Sequence, residues 1–472
     1  MLRRIRWWQS LTSGSTGRPE RASGPKVDAW AGQVSAAWRT TRVVMAIAGL
    51  VPFAASASVG GDSRLSLPSS VQDTIVRVAG PPLRDGVAQL VPEITIGTVN
   101  GPAEYALSAV SSLLVRRDGH IFVMEFDVMR RAGPAVREYD ASGRFVRMIG
   151  GRGEGPGEYR GIFGFALLED DRLIVLTVGR INVYSPEGEP VATWPVFAYP
   201  PAGIGRALQM TRDEILHLGY ARRRPTRDDE VLPMGIVRMR AGAVLDTVFA
   251  PELPDVSLPA FPVWTRSPEP SMWGTPYSPE AAWLFSPLNS VITYRTDRYA
   301  LDVHATAPLQ DGVLRAGPRE LLAPGRVVSI RRNVPPVEVS AAERRDQRAF
   351  LEQSIPQGAR HGAITEIPRV KPRIRGAVVD EEGRIWVWVS MPSERYDPPL
   401  VSSPDGRMRP DVPWREPNVW DVFQPEGTYI GRVRMPYGVF PYVMRGDHVW
   451  GRWHDESDVP FVTRYRIVWS EP

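Results

Sequence analysis

After residue 110 one phrase returns about six times: an acidic or glycine turn, a run of β-branched and aromatic residues, a polar loop, and a hairpin resembling Phe-Asp-x-x-Gly. The clearest copy has Leu113-Leu114-Val115, the turn Arg117-Asp118-Gly119 and Ile121-Phe122-Val123. After a long polar loop come Val136 to Tyr139, the turn Asp140-Ala141-Ser142-Gly143, and Phe145 to Ile149. A second copy follows with Leu173-Ile174-Val175, Ile181 to Tyr184 and the turn Pro186-Glu187-Gly188. Units of this size cannot bury both faces alone and must stack on copies of themselves. The phrase describes the blade of a β-propeller.

Later copies are less regular. Ile215 to Leu218, Ile236 to Met239 and the turn Ala241-Gly242 make a third unit, and Ser290 to Tyr294, Tyr299 to His304 and Val327 to Ile330 a fourth. The fifth has Ala377 to Val379, Ile385 to Val389 and Trp420 to Phe423; the sixth has Tyr442 to Met444, His448 to Trp450 and Thr463 to Val468. The units start near 121, 173, 215, 290, 385 and 448, at intervals of about 42 to 95 residues because of insertions. Glu93 to Gly97 alternates as a strand ahead of the first unit, where a propeller uses such a strand to complete its last blade and remove an edge. The expected fold is all-β: a six-bladed propeller of four-stranded antiparallel blades over 90–472, closed by an N-terminal strand joining the last blade, with one short inserted helix. That helix is marked by the capping box Ser340-Ala341-Ala342-Glu343 and runs through Gln353 until Pro356. Ala349 and Phe350 are expected on its packed side and Arg344, Arg345 and Arg348 in solvent. The Pro-rich segment 391–418 reads as a long loop on one face.

The pI of about 9.3 suggests a nucleic-acid or anionic-membrane partner, so the position of the charge matters. Residues 1–42 carry a net +6, which exceeds the whole chain's +4 and leaves the remainder slightly acidic. No nucleic-acid partner is therefore expected. Residues 1–42 read as a disordered basic leader or a start placed too far upstream, and 43–57 as a signal-peptide apolar core closing on Ala55-Ser56-Ala57. The alternative is a single uncleaved anchor, since the uncharged stretch continues to Gly61. Segment 58–89 reads as a linker. An exported protein is expected, in the periplasm, on the cell surface or secreted, touching a membrane only through an uncleaved N-terminal segment. The chain has no cysteine, which excludes disulfides, thiol nucleophiles, Cys-ligated zinc and lipobox anchoring.

At Ile149-Gly150-Gly151-Arg152-Gly153-Glu154-Gly155-Pro156-Gly157-Glu158-Tyr159 the chain resembles the bacterial six-bladed β-propeller proteins of the NHL/TolB-like type, in which such a loop leads from blade to blade. The resemblance covers roughly residues 90–470. It implies the fold and export and is silent on activity. As a phosphate loop the phrase fails: no Gly-Lys-Ser/Thr follows, Pro156 breaks the spacing, and no helix begins after it.

Candidate chemistry is sparse. The six histidines, His120, His217, His304, His361, His448 and His454, form no metal-binding spacing, and His120 and His448 occupy equivalent turn-to-strand positions. Trp386, Trp388, Trp450 and Trp453 are expected between blades. Glu125 with Asp127, Asp228-Asp229-Glu230 and His454 to Asp458 offer hard oxygen ligands of the kind calcium accepts. No twelve-residue calcium loop accompanies them, so salt bridges to arginine are their expected role and no cofactor is assigned.

In a four-stranded blade the loops joining strands two and three share a face with the blade-to-blade connections, the face propeller ligands usually meet. Here those loops hold Arg130, Arg131, Arg152, Arg160, Arg180, Arg222, Arg224, Arg295 and Arg298, among others, and guanidinium groups on one rim suit an anion. Against this, 55 of the 57 basic residues are Arg, so any exposed cation would be one. The favoured expectation is an exported, monomeric, non-enzymatic propeller that binds a protein, peptide or acidic glycan. The alternative is a metal-dependent, lactonase-like hydrolase or lyase using the central channel. That chemistry needs Glu, Asp, Asn or His on innermost strands, and Ser111 to Val115, Ile162 to Leu168, Arg206 to Met210, Ile374 to Val379 and Val439 to Met444 have none.

Overall fold

The computed structural model describes residues 74–77, 81–127, 132–196, 208–221, 234–249, 251, 253, 260–265, 270–305, 328–398, 400–402 and 408–469, all within the unit 71–472. The leader 1–42 and the apolar segment 43–57 lie outside the described residues.

The fold is an all-β propeller built from antiparallel meanders. Sheet I comprises Val110–Val115, Ile121–Asp127, Ala132–Tyr139 and Phe145–Met148; sheet II comprises Gly164–Leu167, Leu173–Thr177, Arg180–Tyr184 and Pro190–Pro195. Sheet III follows with Leu208–Met210, Leu216–Ala221, Met234–Arg240 and Ala243–Phe249, and sheet IV with Ala281–Ser286, Ser290–Arg295, Ala300–Ala305 and Val328–Arg331. Sheet V has Ile374–Val379, Ile385–Val389, Asn418–Phe423 and Tyr429–Met435. Sheet VI has Phe440–Arg445, His448–His454 and Pro460–Val468, and its fourth strand is Val87–Ile96, paired antiparallel with Pro460–Val468.

Two strands fall within the expected linker. Thr74–Arg77 runs parallel to Val328–Arg331, and Val87 to Gln89 runs parallel to Arg432 to Arg434, joining sheets V and VI. The first strand of sheet IV, Ala281–Ser286, is an element the sequence reading lacked.

Burial follows the meander order. In sheet II the second strand is buried at every position because both faces are covered, while the fourth, Pro190–Pro195, is almost wholly exposed. First strands of neighbouring sheets lie against one another between I and II, II and III, IV and V, and VI and I, so they form the inner layer. Apart from one in the inserted segments, the apolar clusters sit between two consecutive sheets. One joins I to II through Phe122, Tyr159 and Tyr184, another joins IV to V through Leu301, Ile330 and Val387, and a third joins VI to I through Trp450, Val462 and Val123.

The hairpins opposite the inter-sheet connections repeat one piece of chemistry. Asp140 Oδ1 accepts from the Ser142 and Arg144 amides at 2.9 and 3.0 Å, and Oδ2 takes Arg144 Nε. Asp380 does the same with the Glu382 and Arg384 amides and Arg384 Nε. Gly143 and Gly383 both stand at φ 84°, a left-handed conformation that glycine alone adopts without strain. The side chain thus supplies a fixed acceptor and the glycine a fixed bend, which explains the recurrence of Asp-x-x-Gly.

The Gly-rich phrase is a connection between sheets, as expected. Tyr159 Oη donates to Ile149 O at 2.6 Å and Tyr184 Oη to Gly157 O at 2.8 Å. Arg180 Nη2 donates to the carbonyls of Glu154, Gly155 and Glu158.

Candidate functional site

Three long insertions leave the propeller from one end of its strands. They are the III-to-IV connection, the IV-to-V connection, and the link between the second and third strands of sheet V. The first two combine into a cap. Ala260–Trp264 pairs with Ser271–Gly274 and, about a hundred residues later in the chain, with Arg360–His361. Helix α1, Ala341–Ser354, packs on this small sheet through Leu351, Phe261 and Val263. The third insertion, read from sequence as loop 391–418, contains short pairings of Glu394–Arg395 with Trp414–Arg415 and of Leu400–Ser402 with Met408–Pro410.

Helix α1 starts at the expected cap: Ser340 Oγ accepts from the Glu343 amide at 3.1 Å. Its packed side differs from expectation. Glu343, Gln347, Leu351 and Ser354 are buried, whereas Ala349 is exposed, because the helix docks through a mostly polar stripe spaced at three and four residues that leaves Ala349 on another face. Glu343 does not reach back to complete the capping box. Its carboxylate accepts from Tyr277 Oη and Ser393 Oγ, each at 2.6 Å, and lies 3.3 Å from Lys371 Nζ.

Lys371 is fully buried and gathers the insertions onto one ammonium group. It donates to Met391 O and Ser393 Oγ and stands 3.3 Å from Glu416 as well as from Glu343. Glu416 in turn accepts from the Met391 amide. A compact ammonium with three donors suits this set better than a planar guanidinium would. Burial, reinforced by Glu343, pushes the Tyr277 phenol far above its ordinary range and keeps it a proton donor.

Below this cluster the inner strand of sheet V carries Arg375, whose guanidinium lies 3.6 Å over the Trp388 ring; Trp388 stacks on Trp420 at 5.4 Å and 5°. Arg375 stands at a β-bulge where the register slips between Ile374 and Gly376. Equivalent bulges occur in the inner strands of sheets I and VI, at Ser111 and Tyr442. Bulges re-aim side chains and are common beside functional sites. Burial lowers the Arg375 proton affinity, and the Glu416 carboxylate at 3.9 Å opposes that effect.

The sequence-nominated arginines do not share one placement. Arg180 stitches the Gly-rich connection, Arg160 pairs with Glu154, and Arg295 makes a two-point bond to Asp297, which Arg298 approaches at 3.9 Å. Arg152 is exposed. Arg130, Arg131, Arg222 and Arg224 lie outside the described residues. The acidic candidates have local partners: Glu125 is buried and pairs with Arg137 Nε, and Asp455 accepts from the Ser457 and Val459 amides. Asp228, Asp229 and Glu230 lie outside the described residues. His120 bonds Glu138 at 2.7 Å, and His448 bonds Asp447 and Glu93. Among the described residues no three His, Asp or Glu side chains are grouped so as to hold a metal ion.

The sequence reading missed Lys371, Arg375 and Glu416. For Lys371 the signal was compositional: apart from Lys26 it is the only lysine in a chain of 55 arginines. For the other two no spacing pattern existed.

Residues 105–194 match a family model described as a 6-bladed beta-propeller. Solved structures of similar fold include a protein described as exported from Bacteroides fragilis, with 10% identity over 84% of this chain and 100% of that one and a TM-score of 0.40. A gluconolactonase from Xanthomonas campestris has 13% identity over 83% of this chain and 99% of its own, TM-score 0.33. The Pan2 WD40 domain of Neurospora crassa has 8% identity over 83% and 100%, TM-score 0.32. No curated protein matches the sequence.

Proposed function

We propose that this all-β propeller is an exported, non-enzymatic binding module whose sheets I to VI are the blades of a six-bladed ring closed by Val87–Ile96, and that it recognises its ligand on the capped face. The observation that carries this reading is the joining of three separate insertions at one end of the strands: the III-to-IV connection supplies Tyr277, the IV-to-V connection Glu343 and Lys371, and the second-to-third link of sheet V Ser393 and Glu416, all meeting around the Lys371 ammonium. Rigid strands with elaborated loops at one end are how propellers present a binding surface. Ring closure is supported by the cyclic order of the inter-sheet clusters and by the pairing of Thr95 with Thr463. Export rests on the basic leader, the apolar segment and Ala55-Ser56-Ala57.

Calorimetry of the full chain against acidic glycans, peptides and neutral sugars, with and without calcium, tests the reading beside a lactone-hydrolysis assay. Ligand-dependent stabilisation without turnover is expected. Calcium-dependent lactone hydrolysis would overturn it in favour of the hydrolase alternative. Recovery of all the protein in the cytoplasm with its first residues intact would overturn export.

A further inference from the structure

The inner edge of sheet V holds three buried donor atoms, Arg373 Nη1, Arg375 Nε and Ser390 Oγ, that have no hydrogen-bond partner among the described residues. They share one face. The Ser390 amide donates to Arg373 O, so these residues oppose each other one step beyond the Ile374 and Val389 pair. Opposed residues of an antiparallel pair project to the same side, and Ser390 is two residues from Trp388. The bulge brings Arg375 to that side too, where it covers the Trp388 ring.

Buried polar atoms in native proteins are hydrogen-bonded in the great majority of cases, so three buried donor atoms left without an acceptor on one face identify a place built for one. All three atoms can donate, and two belong to guanidiniums. Ser390 is 4% exposed, yet the Arg375 side chain keeps 12% of its surface open, so the face is lined with protein and still reachable. Charge sets the ligand class. Lys371, Arg373 and Arg375 carry three positive charges against two on Glu343 and Glu416, leaving one to neutralise. A dianionic phosphate would overshoot; one carboxylate matches, and its planar oxygens fit guanidinium donors.

The geometry points to Arg373, Arg375 and Ser390 as a binding site for the carboxylate of a small ligand. This rests on the binding-module reading and deepens it by naming the chemistry recognised.

The test is titration calorimetry of the full chain with glucuronate, acetyl-diglycine, glucose and inorganic phosphate, on the native protein and on Arg373→Met, Arg373→Lys, Ser390→Ala and Arg152→Ala. Glucuronate or acetyl-diglycine should bind, the comparison separating a sugar acid from a peptide C-terminus, while glucose does not. Arg373→Met and Ser390→Ala should each weaken binding roughly 10- to 100-fold, the loss of a charge-assisted or buried hydrogen bond. Arg373→Lys should retain part of the affinity, and Arg152→Ala all of it. Ser390→Ala is nearly isosteric and keeps the test alive if Arg373→Met does not fold. Carboxylate binding unchanged in Arg373→Met and Ser390→Ala, or a preference for phosphate, would overturn the site. So would silence toward both carboxylates while another ligand stabilises the protein, an outcome that leaves the binding-module reading standing. Lactone turnover would instead count against that reading.

Discussion

The carboxylate of Glu343, in the first turn of α1, lies 3.3 Å from the ammonium of Lys371, and both side chains are almost completely buried. The helix is therefore held to the propeller by charge at a point where packing alone would favour an apolar residue. Removing one member of such a group leaves the others buried and uncompensated. Lys371→Met should destabilise the protein by about 3–5 kcal/mol in urea unfolding, whereas the double change Lys371→Met with Glu343→Gln should recover part of that loss. A double-variant loss equal to the sum of the Lys371→Met and Glu343→Gln losses would show that the pair is not coupled.

Asp421 is buried between sheets IV and V and accepts from Tyr299 and Tyr429 hydroxyls, each at 3.0 Å, and from Arg332 Nη1 at 2.6 Å and Arg432 Nε at 2.8 Å. Asp421→Asn strands two guanidiniums and should cost about 3 kcal/mol. Tyr299→Phe removes a single one of these bonds and should cost about 1 kcal/mol. Denaturant midpoints at constant m-value check both.

His217 is buried against Phe285, and burial, then the neighbouring Arg238, depresses its pKa to about 4. In the unfolded chain the ordinary imidazole takes up a proton near pH 6.5, so acid favours unfolding. The contribution of neutral His217 is fully present above pH 6.5 and is lost as the pH falls toward 4. Between pH 7.5 and 4.5 the protein should lose about 2–3 kcal/mol that His217→Leu does not lose. Parallel pH dependences for the two proteins would count against this assignment.

Gly150 stands at φ 64°, and a Cβ placed there would lie 2.5 Å from Gly157 O. Gly150→Ala should therefore cost more than the ~1 kcal/mol usual for backbone strain alone and should loosen the connection between sheets I and II. Hydrogen exchange at 150–159 is the readout, and unchanged protection there would refute the prediction.

The repeat was legible because its chemistry is local. An aspartate with a glycine three residues on fixes a hairpin by itself, as at Asp140 and Asp380, and β-branched alternation then extends the strands. Ala281–Ser286 escaped because Ala-Ala-Trp-Leu-Phe-Ser neither alternates nor follows a turn of that kind. The cap escaped because its sheet pairs Val263 with His361, a partner no local pattern can announce. The packed side of α1 was misjudged for a related reason: a polar stripe is buried only when a distant Lys371 and Tyr277 meet it. The arginines singled out by loop position include several consumed by neighbours within the same connection, whereas Arg375 is set by a bulge, and a bulge leaves no mark in composition.

The pairing of Val87–Ile96 with Pro460–Val468 also governs how the molecule comes into being. The Thr95 and Thr463 hydroxyls lie 3.0 Å apart, although 368 residues separate them in the chain. A ribosome or an export channel delivers the first of these strands long before the second exists. Until then Val87–Ile96 has no antiparallel neighbour, and sheet VI lacks the strand that joins it to His448–His454. Contacts this remote in sequence form late and slowly, and an unpaired edge invites association in the meantime. The same zipper that makes the finished protein hard to fray therefore leaves an early strand of the nascent chain exposed until the last sheet is made.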